Sequence, residues 1–118
     1  MTIPIYLLER KPLHCKGAVI SMKAINDEGT DLLVNAILSL KDAKECTAFL
    51  QDLLTISELQ SMAQRIYVAK LLKEGHSCVD VTAITGASSA TVSRVNRCLH
   101  YGENGYTCVL ERLEQQKP

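Results

Sequence analysis

The residues best suited to chemistry lie between Ser77 and Arg97, in the run Ser77-Cys-Val-Asp-Val-Thr-Ala-Ile-Thr-Gly86-Ala-Ser-Ser-Ala-Thr-Val-Ser-Arg-Val-Asn-Arg97. Hydroxyls, small side chains and two arginines alternate there with valines. Such groups suit hydrogen bonding and charge pairing with a polyanion better than bond cleavage. The spacing predicts two short helices joined by a tight turn at Gly86. Val81 and Ile84 are expected to face inward from the first helix and Val92 and Val95 from the second, with Ala87 in the turn. Those positions would lock the pair at the roughly 90–120° of a helix-turn-helix. Ser88, Ser89, Ala90, Ser93, Arg94 and Arg97 would then stay outside. Small residues at the start of the second helix let its backbone approach the floor of a major groove about 12 Å wide. Ser89, Ala90, Ser93 and Arg94 are the candidates for base edges. Ser88, Thr91 and Arg97 are the candidates for phosphates, the first two through hydroxyls or nearby helix-start amides. An ordinary helical hairpin fits the apolar spacing equally well. The small, acid-free outer face and the glycine at the corner favour the DNA reading.

Other chemistry has weaker footing. The five cysteines (Cys15, Cys46, Cys78, Cys98 and Cys108) are odd in number, far apart and lack a C-x-x-C pair, so reduced, mostly buried thiols are expected. His76 with Cys78, or Cys98 with His100, are the nearest approach to metal-ligand spacing, and neither repeats a structural-zinc signature. No Gly-rich phosphate loop, G-x-S-x-G or H-E-x-x-H is present. Neither catalysis nor a cofactor is expected.

The frame that must position the Ser77–Arg97 segment can also be read. The chain has 118 residues, 47% of them hydrophobic, with no Trp and one Phe. That is enough for one domain whose core is built of Leu, Ile, Val and Ala. No apolar run approaches the roughly 20 residues of a membrane span. Ile3 to Leu8 is too short for a signal-peptide core and runs into Glu9-Arg10-Lys11, so a cytoplasmic location is expected. The 13 basic and 13 acidic side chains cancel, but not locally. Residues 26–58 carry seven acids against two lysines, whereas residues 59–101 carry five bases against two acids. The basic stretch hints at a polyanion-facing surface. The overall neutrality leaves room for a helical protein-interaction module without DNA affinity.

Helix starts recur regularly. Thr30 is read as the cap of a helix Asp31–Leu40, and Asp42 with Glu45 opens a second one running to Leu54. Thr55 and Glu58 form a capping box that launches the longest helix, Ile56 to Lys73. Its stripe is Leu59, Met62, Ala63, Ile66, Ala69, Leu71 and Leu72, and Gly75 ends it in a left-handed conformation. Ser77 with Asp80 starts the next helix, Ser88 caps one to Tyr101 that Gly102 stops, and a last helix follows Asn104-Gly105. No stretch alternates like a strand, so the fold class is all-α with about six helices. Residues 1–24, with two prolines and no periodicity, read as an extension that is poorly ordered or tied down only on assembly. Met22 offers an alternative start. Residues 25–118 form the helical domain.

The block from Leu54-Thr55 through Glu58, Arg65, Leu71-Leu72, Gly86-Ala87 and Ala90-Thr91-Val92-Ser93-Arg94 to Leu99 resembles the tryptophan-repressor superfamily. Within it the chain is similar to the bacterial YerC/YecD group, with its GAS-x-AT-x-SRV segment and the YGENGYT turn. The resemblance spans roughly residues 24–113 and implies a helix-turn-helix regulator, acting as a repressor on double-stranded DNA. It also implies an intertwined homodimer whose terminal helices interlock, and hence a palindromic operator with half-sites ~34 Å apart. Two arginines sandwich the corepressor in that superfamily, and they correspond to Arg65 and Arg94. Thr55 and Thr91 fall at pocket-lining positions. Val95 and Cys98 stand where the tryptophan repressor has a glycine and a serine, and Val79 and Thr82 where it has basic DNA-contacting residues. A valine fills the space that the glycine leaves, so the chain is expected not to respond to tryptophan. A corepressor of another kind is the alternative.

Overall fold

The computed structural model describes residues 27–117. The 1–24 extension, Met22 and Cys15 lie outside them. Among the described residues six helices follow one another: α1 (Glu28–Ser39), α2 (Ala43–Leu53), α3 (Ile56–Lys73), α4 (Cys78–Thr85), α5 (Ser89–Tyr101) and α6 (Gly105–Gln115). Among the described residues there are no strands. The class is all-α.

Side-chain caps set most of the starts. Asp42 accepts from the Glu45 N–H at 2.8 Å and Ser77 Oγ from the Asp80 N–H at 3.1 Å. At α3 the Thr55 hydroxyl accepts from the Glu58 N–H and the Glu58 carboxylate from the Thr55 N–H, both at 3.1 Å. One start differs from the expectation. Asp27, not Thr30, caps α1, accepting from the Thr30 N–H at 2.7 Å. A carboxylate satisfies first-turn amides and also favours the positive end of the helix, so it takes the cap three residues upstream of the weaker hydroxyl. At the far end of α3, Gly75 stands at φ +100°. There the N–H groups of Gly75 and His76 return to the carbonyls of Leu72 and Leu71, the two bonds of a Schellman ending.

Hydrogen bonds from Thr55 hold the Glu58 carboxyl below the ordinary carboxylate range. The sign follows from linkage. A group depressed in the folded state adds stability that is present above its unfolded value and lost as pH falls through the folded one. Glu58→Gln keeps an acceptor but does not titrate. Its urea-unfolding stability, measured stepwise from neutral into acid, is expected to fall less steeply than that of the unsubstituted chain.

The core is small and gathers on α3, which packs against α2, α4, α5 and α6. Val68, Ala69 and Leu71 of α3 meet Val81 of α4, Ala87 of the turn, Val92 and Val95 of α5 and Leu110 of α6. The predicted stripe captured Ala69 and Leu71 but not Val68, which is fully buried. Met62, expected inside, is exposed, because no helix among the described residues covers that side of the first half of α3. The two leading helices contribute no buried residue at all. Leu32 is 70% exposed, with Ile37 and Leu38 also in solvent. Cysteine burial differs from the expectation as well. Cys78 is exposed, Cys46 and Cys98 are half-buried and only Cys108 is buried, since the first three sit on faces this small core does not reach. No helix among the described residues is long and apolar enough to cross a membrane.

Candidate nucleic-acid interface

α4 and α5 form the corner that the Ser77–Arg97 segment encodes. Gly86 follows α4 at φ +73°, a left-handed conformation that glycine adopts without the steric penalty of a Cβ. Val81, Ala87, Val92 and Val95 are all buried, none more than 2% exposed. Ile84 departs from the expectation. It is 51% exposed, because Val81 and Thr85 lead the inward side of this two-turn helix and Ile84 is turned past it.

Thr85 does what the sequence did not reveal. Its hydroxyl donates to the Val81 carbonyl at 2.7 Å and accepts from the Ala87 N–H at 3.1 Å. One side chain thus stitches the last turn of α4 to the corner residue and satisfies a nearly buried amide. Thr85→Val keeps the shape and removes both bonds. It is expected to destabilise the fold by about 1–2 kcal/mol, read as a lower urea midpoint at unchanged slope.

Ser88, Ser89, Ala90, Ser93, Arg94 and Arg97 are all exposed and Thr91 is half-buried. All belong to α5 or its cap, and α5 contains no acidic residue. Ser88 Oγ accepts from the Thr91 N–H at 3.1 Å and lies 3.0 Å from Thr91 Oγ1. Its hydroxyl is therefore already engaged as the helix cap. A phosphate at this end would meet the free first-turn amides of Ser89 and Ala90 and the Thr91 hydroxyl more readily than Ser88 itself. Backbone donors, hydroxyls and two guanidiniums on one outer face can bind an anionic polymer.

The four residues of the candidate small-molecule pocket are dispersed over two packed helices. Thr55 is the exposed cap of α3 and Arg65 is half-buried at mid-helix; Thr91 and Arg94 stand on α5. Two of the concavities among the described residues bear on this. One of about 330 Å³ lies between the C-terminal halves of α3 and α6, over Leu110 and Leu113 and rimmed by Lys70, Glu74, Glu111 and Lys117. The other, about 550 Å³, is floored by Ile66, Cys98, Tyr106 and Val109. Neither is lined by any of the four. Val95 occupies the core beneath α5. Among the described residues no three His, Cys, Asp or Glu side chains gather where a metal could bind.

Comparison with known proteins places this architecture. The Trp repressor protein family model matches residues 28–114. YerC of Bacillus subtilis (strain 168) is 52% identical over 85 residues, covering 72% of this chain and 82% of that protein. The crystal structure of a TrpR-like protein from Eubacterium eligens superposes with a TM-score of 0.74 at 45% identity, over 81% of this chain and 99% of the other. A crystal structure of a Staphylococcus aureus protein does so with a TM-score of 0.75 at 38% identity, over 82% and 97% of the two chains. The match takes in every helix from α1 to most of α6, the corner at Gly86 included, and the family is one of regulators rather than of enzymes. The chain belongs to the Trp repressor family, within reach of YerC.

Proposed function

We propose that this protein is a cytoplasmic, homodimeric transcriptional regulator, a repressor by kinship, that reads double-stranded DNA with α5. The observation that carries the reading is the outer face of α5, exposed, free of acids and studded with Arg94 and Arg97, on a corner braced by buried valines. Ser89, Ala90, Ser93 and Arg94 face the base edges, while Arg97, Thr91 and the first-turn amides beside Ser88 hold phosphates. The unburied apolar faces of α1 and α2 support the dimer. A chain that leaves Leu32, Ile37 and Leu38 in water gains by covering them with a second copy. Two-fold symmetry then calls for a palindromic operator with half-sites about one helical turn apart.

Val95, almost fully buried where a ligand-binding relative would keep a glycine, supports a regulator that does not answer to tryptophan. The test is selection of duplexes from a random pool by purified protein without additives, followed by binding measured against salt. Recovery of a palindrome, with affinity falling steeply as salt rises, is the expected result. A protein that retains no duplex even at low salt contradicts the reading. One that binds only after a small molecule is added points to the corepressor-dependent alternative.

A further inference from the structure

We propose that Tyr101 is an additional nucleic-acid contact, its phenol meeting a phosphate of the duplex backbone at the rim of the major groove. This rests on the DNA-binding role given to α5 above. Ala90, Arg94, Arg97 and Tyr101 are separated by four, three and four residues. At 100° per residue these positions fall within about 60° of one another, on a single face of the helix. Tyr101 is 87% exposed, the largest value among the exposed large hydrophobic side chains of the described residues. An aromatic ring left in water at the end of a cationic stripe is apolar surface awaiting a cover.

Helix geometry supplies the level at which that cover lies. A rise of 1.5 Å per residue puts Tyr101 about 16 Å along the axis from Ala90. A major groove is about 8.5 Å deep. A helix that enters it N-terminus first therefore carries its last turn out to the groove edge, where sugars and phosphates stand and bases do not. A phenol fits that level, since its O–H donates to a phosphate oxygen while its ring packs on deoxyribose.

The ring also has an aromatic neighbour. His100 donates from Nδ1 to the Asn96 carbonyl at 2.8 Å, which fastens the imidazole to α5. The Tyr101 ring lies tilted beside it, with centroids 6.2 Å apart. Charge favours DNA over a second copy of the chain as the occupant. Arg97 and His100 precede Tyr101 within one turn and α5 carries no acid. The largest group of exposed leucines and isoleucine suited to a protein interface, Leu32, Leu33, Ile37 and Leu38, gathers on α1 instead.

The test uses the full-length protein, fluorescence anisotropy on the selected palindrome and on a mixed-sequence duplex, and a salt series for each. Tyr101→Phe is expected to weaken both complexes about three- to tenfold. Its salt dependence should match that of the unsubstituted protein, because a neutral phenol releases no counterion. A methylphosphonate at the contacted phosphate should weaken the unsubstituted protein and leave Tyr101→Phe unaltered. Equal affinity of the two proteins on both duplexes overturns the proposal while leaving the DNA-binding role intact. Loss of dimer by Tyr101→Ala in sedimentation, with Tyr101→Phe binding normally, overturns it by assigning the ring to the subunit interface. An unsubstituted protein that binds no duplex removes both readings together.

Discussion

Replacing Val95 with glycine is expected to destabilise the chain by about 3 kcal/mol, the sum of lost apolar burial, an unfilled cavity and a glycine inside a helix. Val95 is 1% exposed and touches the cluster that joins α3, α4 and α5. The core holds so few side chains that neighbours have little with which to collapse into the gap. The effect should appear as a lower urea midpoint and as loss of DNA binding, because the vacated space lies directly beneath the reading face. The same variant probes the small-molecule question. If Val95 is what closes the space, indole-sized apolar compounds should raise the melting temperature of Val95→Gly and leave that of the parent unmoved. Calorimetric titration of the parent with L-tryptophan is expected to show no saturable heat at micromolar concentration. Saturable binding there would falsify the claim that this side chain has taken the place of a ligand.

What the amino-acid order disclosed, and what it withheld, divides along a physical line. Caps are contacts between residues three apart, so Asp42, Thr55, Ser77 and Ser88 could each be assigned from spacing alone, and each makes its bond. The corner was legible for the same reason, since Gly86 and the valines around it are local. Burial is not local. Ile84 and Met62 have the hydropathy of core residues, yet whether either is covered depends on which helix comes back to meet it. Leu32 and its neighbours on α1 keep a helical stripe that in sequence looks like any other. Only the fold reveals that they stay exposed among the described residues. Thr85 was invisible for a different reason, because a threonine near a helix end is ordinary until the two atoms it bridges are known. Tyr101 fell outside the stretch chosen for its hydroxyls and cations, although the four-three-four spacing that joins it to Arg94 and Arg97 was there to be counted.

On the proposed reading, Arg94→Ala and Arg97→Ala should fail differently, although both remove one guanidinium from the same exposed face. Arg94 stands one turn from Ala90, deep enough for its fork to meet a guanine edge. Its loss should weaken the selected palindrome by roughly 1–3 kcal/mol and the mixed-sequence duplex far less, so that discrimination shrinks. Arg97 lies about 10 Å along the axis from Ala90, near the groove wall. Its loss should weaken both duplexes alike and lower the salt slope by about 0.9 for each phosphate contact removed, hence close to 2 for a two-fold dimer. Anisotropy titrations of both variants at several salt concentrations separate the roles. Among the described residues neither arginine makes a hydrogen bond or ion pair that supports the fold, and both are exposed. The melting temperatures should therefore stay near that of the parent, which keeps the comparison one of binding and not of folding. Losses of equal size on both duplexes for both variants would mean that α5 grips the backbone without reading sequence. The regulator would then be choosing its sites through DNA shape, and the small residues Ser89, Ala90 and Ser93 would be spacers that let the helix sit close, not readers of bases.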